Sequence, residues 1–251
     1  MFADSKDANN MTHEENSKFI VDLFQRTTMH HALWYTEVRH QMGEEKALEM
    51  LSNASRKSWE IQMKHLSELL GFSMVNGVPS PLLDMDGEKL NELKTRMAKN
   101  WLVGDGVWFQ TIERAKGMNE AKRCNDSCWA HFSPFEAHSI KQLLDLPAQS
   151  GLEGLKRALG FRVYACINTQ SVVEETDDSF VFQMNKCRVQ DARKRKGLDD
   201  YPCKSAGLVE YSYFASAIDN RIKTDCIGCP PDSHPDDWYC AWKFSMKGSD
   251  E

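Results

Sequence analysis

The chain has 251 residues, enough for one large core or two modest ones. Charged residues make up 27 % and hydrophobic ones 41 %, the balance of an ordinary globular protein rather than a disordered one. A formal net charge of −6 argues against nucleic acid as the main partner, and no run approaches the roughly 18 apolar residues of a membrane span, so no membrane partner is expected.

Residues 1–12 are polar, with no basic start followed by an apolar stretch, and read as a disordered tail rather than a secretory signal. Eight cysteines without such a signal point to a reducing, cytoplasmic setting, where metal binding or thiol chemistry outranks a disulfide framework. From residue 13 to about 150 the pattern is helical. Ile20, Leu23, Phe24, His31, Trp34, Tyr35 and Val38 recur at three- and four-residue steps and predict one buried apolar stripe. Gly43 ends that helix, and a second carries Ala47, Leu48, Leu51 and Trp59. Residues 73–88 read as a loop, and a second helical stretch runs from Glu88 through Leu144.

The two stretches resemble each other. Trp34-Tyr35, Val38, Gly43 and Ala47 have the same spacing as Trp108-Phe109, Ile112, Gly117 and Ala121. A duplicated helix pair packed about a pseudo-twofold would bury both aromatic pairs. It would also set His31 and Asp105, each three residues before its tryptophan, in equivalent places where they could pair. His31, Trp34, Asp105 and Trp108 are therefore candidate substrate-binding residues, as is Asp126; the plainer reading makes Asp105 and Asp126 helix caps and His31 a half-buried helix residue.

Beyond residue 150 the chemistry changes. A short helix ends at Leu159. Residues 161–174 and 179–187 read as strands around an Asp177-Asp178 turn. A basic, exposed helix (190–196) stops at Gly197, and a helix opens at Pro202-Cys203 and runs to Ile218. Residues 221–226 and 238–244 are the last strands, with Trp238, Cys240, Trp242 and Phe244 on one face. The expected fold class is α+β, an N-terminal helical bundle followed by a Cys-rich unit over 151–247 made of an antiparallel sheet with helices on one face.

Five cysteines crowd this unit: Cys187, Cys203, Cys226, Cys229 and Cys240. Thiolates are preferred zinc ligands, and a CxxC turn lets two reach one ion. Strand ends and helix starts often gather at one sheet edge, so Cys187, Cys203, Cys226 and Cys229 form the expected metal set, with Cys240 or His234 as substitutes. Zinc ranks first as cofactor and an iron–sulfur cluster second. Cys203 opens a helix, where the helix dipole favours thiolate. Without a metal, Cys203 would be the nucleophile and His234 or His31 the base. Glu210, two turns on, shares its helix face and is a further catalytic candidate. Arg188 could hold an anionic ligand. Cys124, Cys128 and Cys166 read as packing residues.

Asp105-Gly106-Val107-Trp108-Phe109 with Glu113, Asn125-Asp126 before Trp129, and the tail with Cys187, Cys203, Asp219 and Cys226-Ile-Gly-Cys229-Pro230-Pro231-Asp232 resemble an uncharacterised family of prokaryotic cytosolic proteins over most of residues 28–245. The C-terminal unit also distantly resembles the vinyl-reductase-type zinc- and ligand-binding domain and the aminothiazoline-carboxylate hydrolases. These likenesses imply a small-molecule-binding α+β unit with Cys187 and Cys226 as the best-matched thiols; they fix no substrate. The leading expectation is a zinc-binding protein with a small-molecule ligand, able to hydrolyse a C–N or C–S bond if the ion keeps an open position. The alternatives are a sensor or binding module with a structural zinc closed by four cysteines, a metal-free cysteine hydrolase or transferase, and a non-catalytic partner-binding protein; a homodimer is compatible with all of them.

Overall fold

The computed structural model describes residues 9–197 and 199–246. The tail expected over residues 1–12 therefore lies largely outside the described residues; Thr12 is the N-cap of the first helix, its hydroxyl accepting from the Glu15 N–H in a capping box. The chain forms two compact units, Met1–Pro79 and Ser80–Glu251.

The first unit is a helical hairpin, α1 (His13–Met42) and α2 (Glu44–Leu70), followed by a two-residue hairpin of β1 (Met74–Val75) and β2 (Val78–Pro79). Gly43 joins the helices at φ 86°, ψ 167°, a conformation nearly closed to residues with a Cβ. Tyr35 donates to Glu44 across the joint at 2.9 Å. Ala47 and Leu48 are the buried residues of α2, and α1 has none. The expected buried stripe is thus corrected: Ile20, Leu23, Phe24 and Trp34 are exposed, with Trp34 at 62 %.

In the second unit, a single turn α3 (Ser80–Leu83) precedes α4 (Gly87–Lys116) and α5 (Met118–Leu144), again joined at a glycine, Gly117, with φ 90° and ψ 171°. Then come α6 (Gly151–Leu159), a 3-10 turn (Val163–Cys166), β3 (Thr169–Val173), β4 (Ser179–Lys186), α7 (Arg188–Lys194), α8 (Lys204–Ile218), β5 (Ile222–Gly228) and β6 (Cys240–Met246). The four strands form an antiparallel sheet in the order β3-β4-β6-β5. The fold is α+β, as expected. The strand expected at 161–174 is shorter, because the buried Arg162 turns the chain into the 3-10 segment first.

Helix α8 is apolar nearly all round, as a helix buried between two layers must be. It rides on the sheet at Gly207, where a Cβ would meet Trp242 Cζ2 at 2.6 Å. Tyr211 stacks on Trp242 with ring centres 4.8 Å apart, and Phe214, Ala215 and Ile218 complete the contact. On its other side lies α5. Lys122 Nζ donates to the Pro202 carbonyl at the start of α8 (2.6 Å), and Lys141 Nζ donates to the Ala217 and Ile218 carbonyls at its end (3.2 and 2.9 Å), so the two helices run parallel. This clamp ties α4–α5 to the sheet within the second unit, which begins at Ser80.

Candidate thiol site

The register of the sheet gathers the thiols. Cys187 follows the last residue of β4, Cys240 begins β6 opposite Met184, and Cys226 lies opposite Trp242. A bulge after Cys226 carries β5 into the turn that bears Cys229. The start of α8 is tied to that turn, since the Lys204 N–H donates to the Pro230 carbonyl at 2.9 Å. Five thiols from four elements thus meet the same end of the core.

Within this group Cys203 Sγ lies 3.6 Å from Cys229 Sγ, and Cys240 is near enough to raise the Cys229 thiol as well. Two thiolates bound at 2.3 Å to one tetrahedral zinc would stand about 3.8 Å apart. The Gln190 side-chain amide donates to Cys203 Sγ at 3.6 Å and to the Tyr201 carbonyl at 2.9 Å, while its oxygen accepts from the Tyr201 N–H at 2.8 Å. Cys203 accepts the Cys229 hydrogen bond, which holds its thiol below the ordinary value against the opposing effect of burial; Cys229 is pushed up by the same bond. Cys187 is pushed up to about 12 by burial. Cys226 is raised by burial and lies near the Lys204 ammonium, itself 2.7 Å from Asp232. Among the described residues, no three His, Cys, Asp or Glu side chains stand as placed in a group that could hold a metal ion. Of the expected quartet, the structure brings Cys203 and Cys229 into contact, and it adds Cys240.

The other candidates divide. Glu210 is buried on α8 and touches Arg162, whose Nη1 lies 2.7 Å from Glu210 Oε1. Burial raises the Glu210 carboxyl despite that guanidinium. Asp105 lies inside α4 rather than at a cap; it is raised by burial, and its charge is felt by Tyr164, Tyr201 and Glu210. Asp126 Oδ1 and the Tyr201 hydroxyl are buried without a hydrogen-bond partner, and both Asp126 and Cys203 raise the Tyr201 phenol after the larger effect of burial. Asp105, Asp126, Glu210 and Cys203 thus belong to one electrostatic neighbourhood.

The remaining candidates make other contacts. His31 pairs with Ser55 Oγ at 3.3 Å within its own hairpin. Trp108 is 67 % exposed. Arg188 is exposed, and its backbone N–H donates to Asn168. His234 binds Asp200 at 2.9 Å and the Pro235 carbonyl at 2.7 Å, which engages both ring nitrogens. Cys124 and Cys128 are exposed rather than packed. Two open grooves, about 630 and 660 Å³, lie along α4 between Asp86 and Asn100 and are lined by none of the thiols. Gln190 and Tyr201 escape the sequence reading: a glutamine in a basic run carries no signal of burial, and only the adjacent Pro202-Cys203 marks Tyr201.

Among the described residues, no helix is long and apolar enough to cross a membrane. The model of a family of unknown function, DUF6125, matches residues 83–246, more than half of the chain, and the chain belongs to that family. No curated protein and no solved structure matches, and the distant likenesses to aminothiazoline-carboxylate hydrolases and the vinyl-reductase-type domain gain no support.

Proposed function

We propose that this DUF6125 protein binds a soft divalent ion, zinc by preference, through Cys203, Cys229 and Cys240. The observation that carries the reading is the 3.6 Å separation of Cys203 and Cys229 Sγ, close to the spacing of two thiolates on one tetrahedral ion. Cys240, whose thiol also raises that of Cys229, is the third ligand. Cys187 is the fourth thiol, since it interacts electrostatically with both Cys240 and Cys203. Cys226 is the weaker choice because its neighbour is the Lys204–Asp232 pair.

Three thiolates leave one position for water or substrate, and hydrolysis of a C–N or C–S bond is chemistry that such a position supports. A fourth thiolate closes the site and makes it structural or sensory. In the open case Asp105, Asp126 and the Tyr201 hydroxyl, in the electrostatic neighbourhood of Cys203, would take the positively charged end of a small substrate.

The test is metal content after dialysis against zinc and then against metal-free buffer. One equivalent should remain in the wild type, with far less in Cys203→Ala and Cys229→Ala. Retention of zinc by both variants ends the proposal. A second reading, a metal-free reactive thiol, is favoured by the lowered Cys203 thiol. It predicts rapid stoichiometric alkylation of Cys203 in metal-free protein that added zinc does not slow.

A further inference from the structure

Cys203 and Cys229 are 26 positions apart in sequence and belong to separate elements, one the N-cap of α8 and the other in the turn after β5. Their sulfurs are nevertheless in contact, at 3.6 Å. The backbone keeps them there. One residue beyond each cysteine, the Lys204 N–H donates to the Pro230 carbonyl at 2.9 Å, and Lys204 Nζ reaches Asp232 at 2.7 Å. A disulfide needs neighbouring backbone and side chains directed at each other. The Lys204–Pro230 bond supplies the first condition and the sulfur contact the second.

The two thiols are not equivalent. Cys203 is partly exposed, whereas Cys229 is buried. Cys203 Sγ accepts from the Cys229 thiol and from the Gln190 amide, which its two bonds to the Tyr201 backbone hold in place. These donors, Cys229 above all, keep the Cys203 thiol below its ordinary value, while burial raises those of Cys128, Cys187 and Cys226. Hydroperoxides oxidise the thiolate rather than the thiol, so oxidation starts at Cys203.

We infer that Cys203 and Cys229 are a redox pair that hydrogen peroxide closes reversibly into a disulfide, with Cys203 the sulfur attacked first and Cys229 the one that resolves it. The Cys203 thiolate attacks one peroxide oxygen. The O–O bond breaks, a sulfenic acid forms on Cys203, and the departing hydroxide takes the Cys229 proton to become water. The Cys229 thiolate then attacks the Cys203 sulfur, the S–S bond forms, and the S–O bond breaks. That second hydroxide takes up the proton that Cys203 had released. Two thiols and one peroxide thus give one disulfide and two waters; the sulfurs lose two electrons and the peroxide gains them. What this does to a bound ion rests on the zinc reading above: closure removes two of its thiolates, and the loaded chain should release its zinc as the disulfide forms.

The test is one equivalent of hydrogen peroxide added to the reduced, metal-free full chain. Free thiols should fall from eight to six, and dithiothreitol should restore them. Peptide mapping of the wild type should place the bond between Cys203 and Cys229, a result that depends on no variant folding. Cys229→Ser should stop at a sulfenic acid on Cys203 that dimedone traps, and Cys203→Ser should keep its remaining thiols. Cys124→Ser with Cys128→Ser, which removes the two exposed thiols, should still lose two. A bond mapped elsewhere overturns the inference, as does a Cys203→Ser chain that loses two thiols as fast as the wild type. Because this arm contains no metal, a chain that forms the disulfide but never holds zinc refutes the zinc reading alone. One that holds zinc but does not form the disulfide when metal-free refutes the redox pair alone.

Discussion

Arg162 Nε donates to Glu136 Oε2 at 2.8 Å in the interior of the second unit, and the other oxygen of that carboxylate accepts the Val163 N–H at 2.8 Å. Arg162 is 1 % exposed and is ringed by Trp129, Tyr164, Tyr211 and Phe214. Glu136 thus joins α5 to the 3-10 turn, and Glu210 adds α8 on the other side of the guanidinium. Removing one partner of such a pair strands a buried charge. Glu136→Ala should destabilise the protein by about 3–5 kcal/mol in urea unfolding. Replacing Glu136 and Arg162 together by Met should cost clearly less than the two single changes summed; additive losses would mean that the pair is not coupled.

The helix joints make a second prediction. Gly117 and Gly43 adopt backbone angles that glycine alone reaches without strain, and open space surrounds both. Gly117→Ala should therefore cost about 1–3 kcal/mol through the backbone alone. Gly104→Ala, within α4 and equally unhindered, should stabilise by about 0.5–1 kcal/mol. Thermal unfolding of the two variants should move in opposite directions.

The turn between β5 and β6 should respond to pH through His234. Burial disfavours its charge, but the Asp200 carboxylate and the Pro235 carbonyl outweigh that and raise the imidazole above its usual value. A raised histidine contributes stability that is complete below its unfolded pKa of about 6.5 and is lost as pH climbs through the folded value. Amide exchange in residues 230–238 should accelerate as pH rises past neutrality, beyond the intrinsic chemical rate. Asp200→Asn should remove that pH-dependent step and lower the His234 pKa measured by NMR.

The sequence carried the parts of this fold that depend on local chemistry. Gly43 and Gly117 mark both helix joints because no other residue takes their conformation, and the apolar run Phe180-Val181-Phe182 marks β4, an inner strand buried on both faces over its first four residues. Periodicity records that a face is apolar but not what covers it, which is why the Phe24–Trp34 stripe reads as core and is exposed. The 3-10 turn at Val163–Cys166 is set by the partners of Arg162, which lie 26 and 48 positions away in sequence. At the thiol site the convergence of strand ends on a helix start was legible, since antiparallel order forces it. The choice of Cys240 over Cys226 beside Cys229 was not, because it rests on a one-residue bulge in β5.

The central claim is that Cys203 and Cys229 share one ion. Cobalt(II) titration of the reduced, metal-free chain tests it most directly, because thiolate-to-cobalt charge transfer absorbs in proportion to the number of thiolates bound. The account predicts a tetrahedral spectrum that saturates at one equivalent, weakened by Cys240→Ser and abolished by Cys203→Ser with Cys229→Ser. An absent charge-transfer band, or one left unchanged by the double substitution, would contradict it.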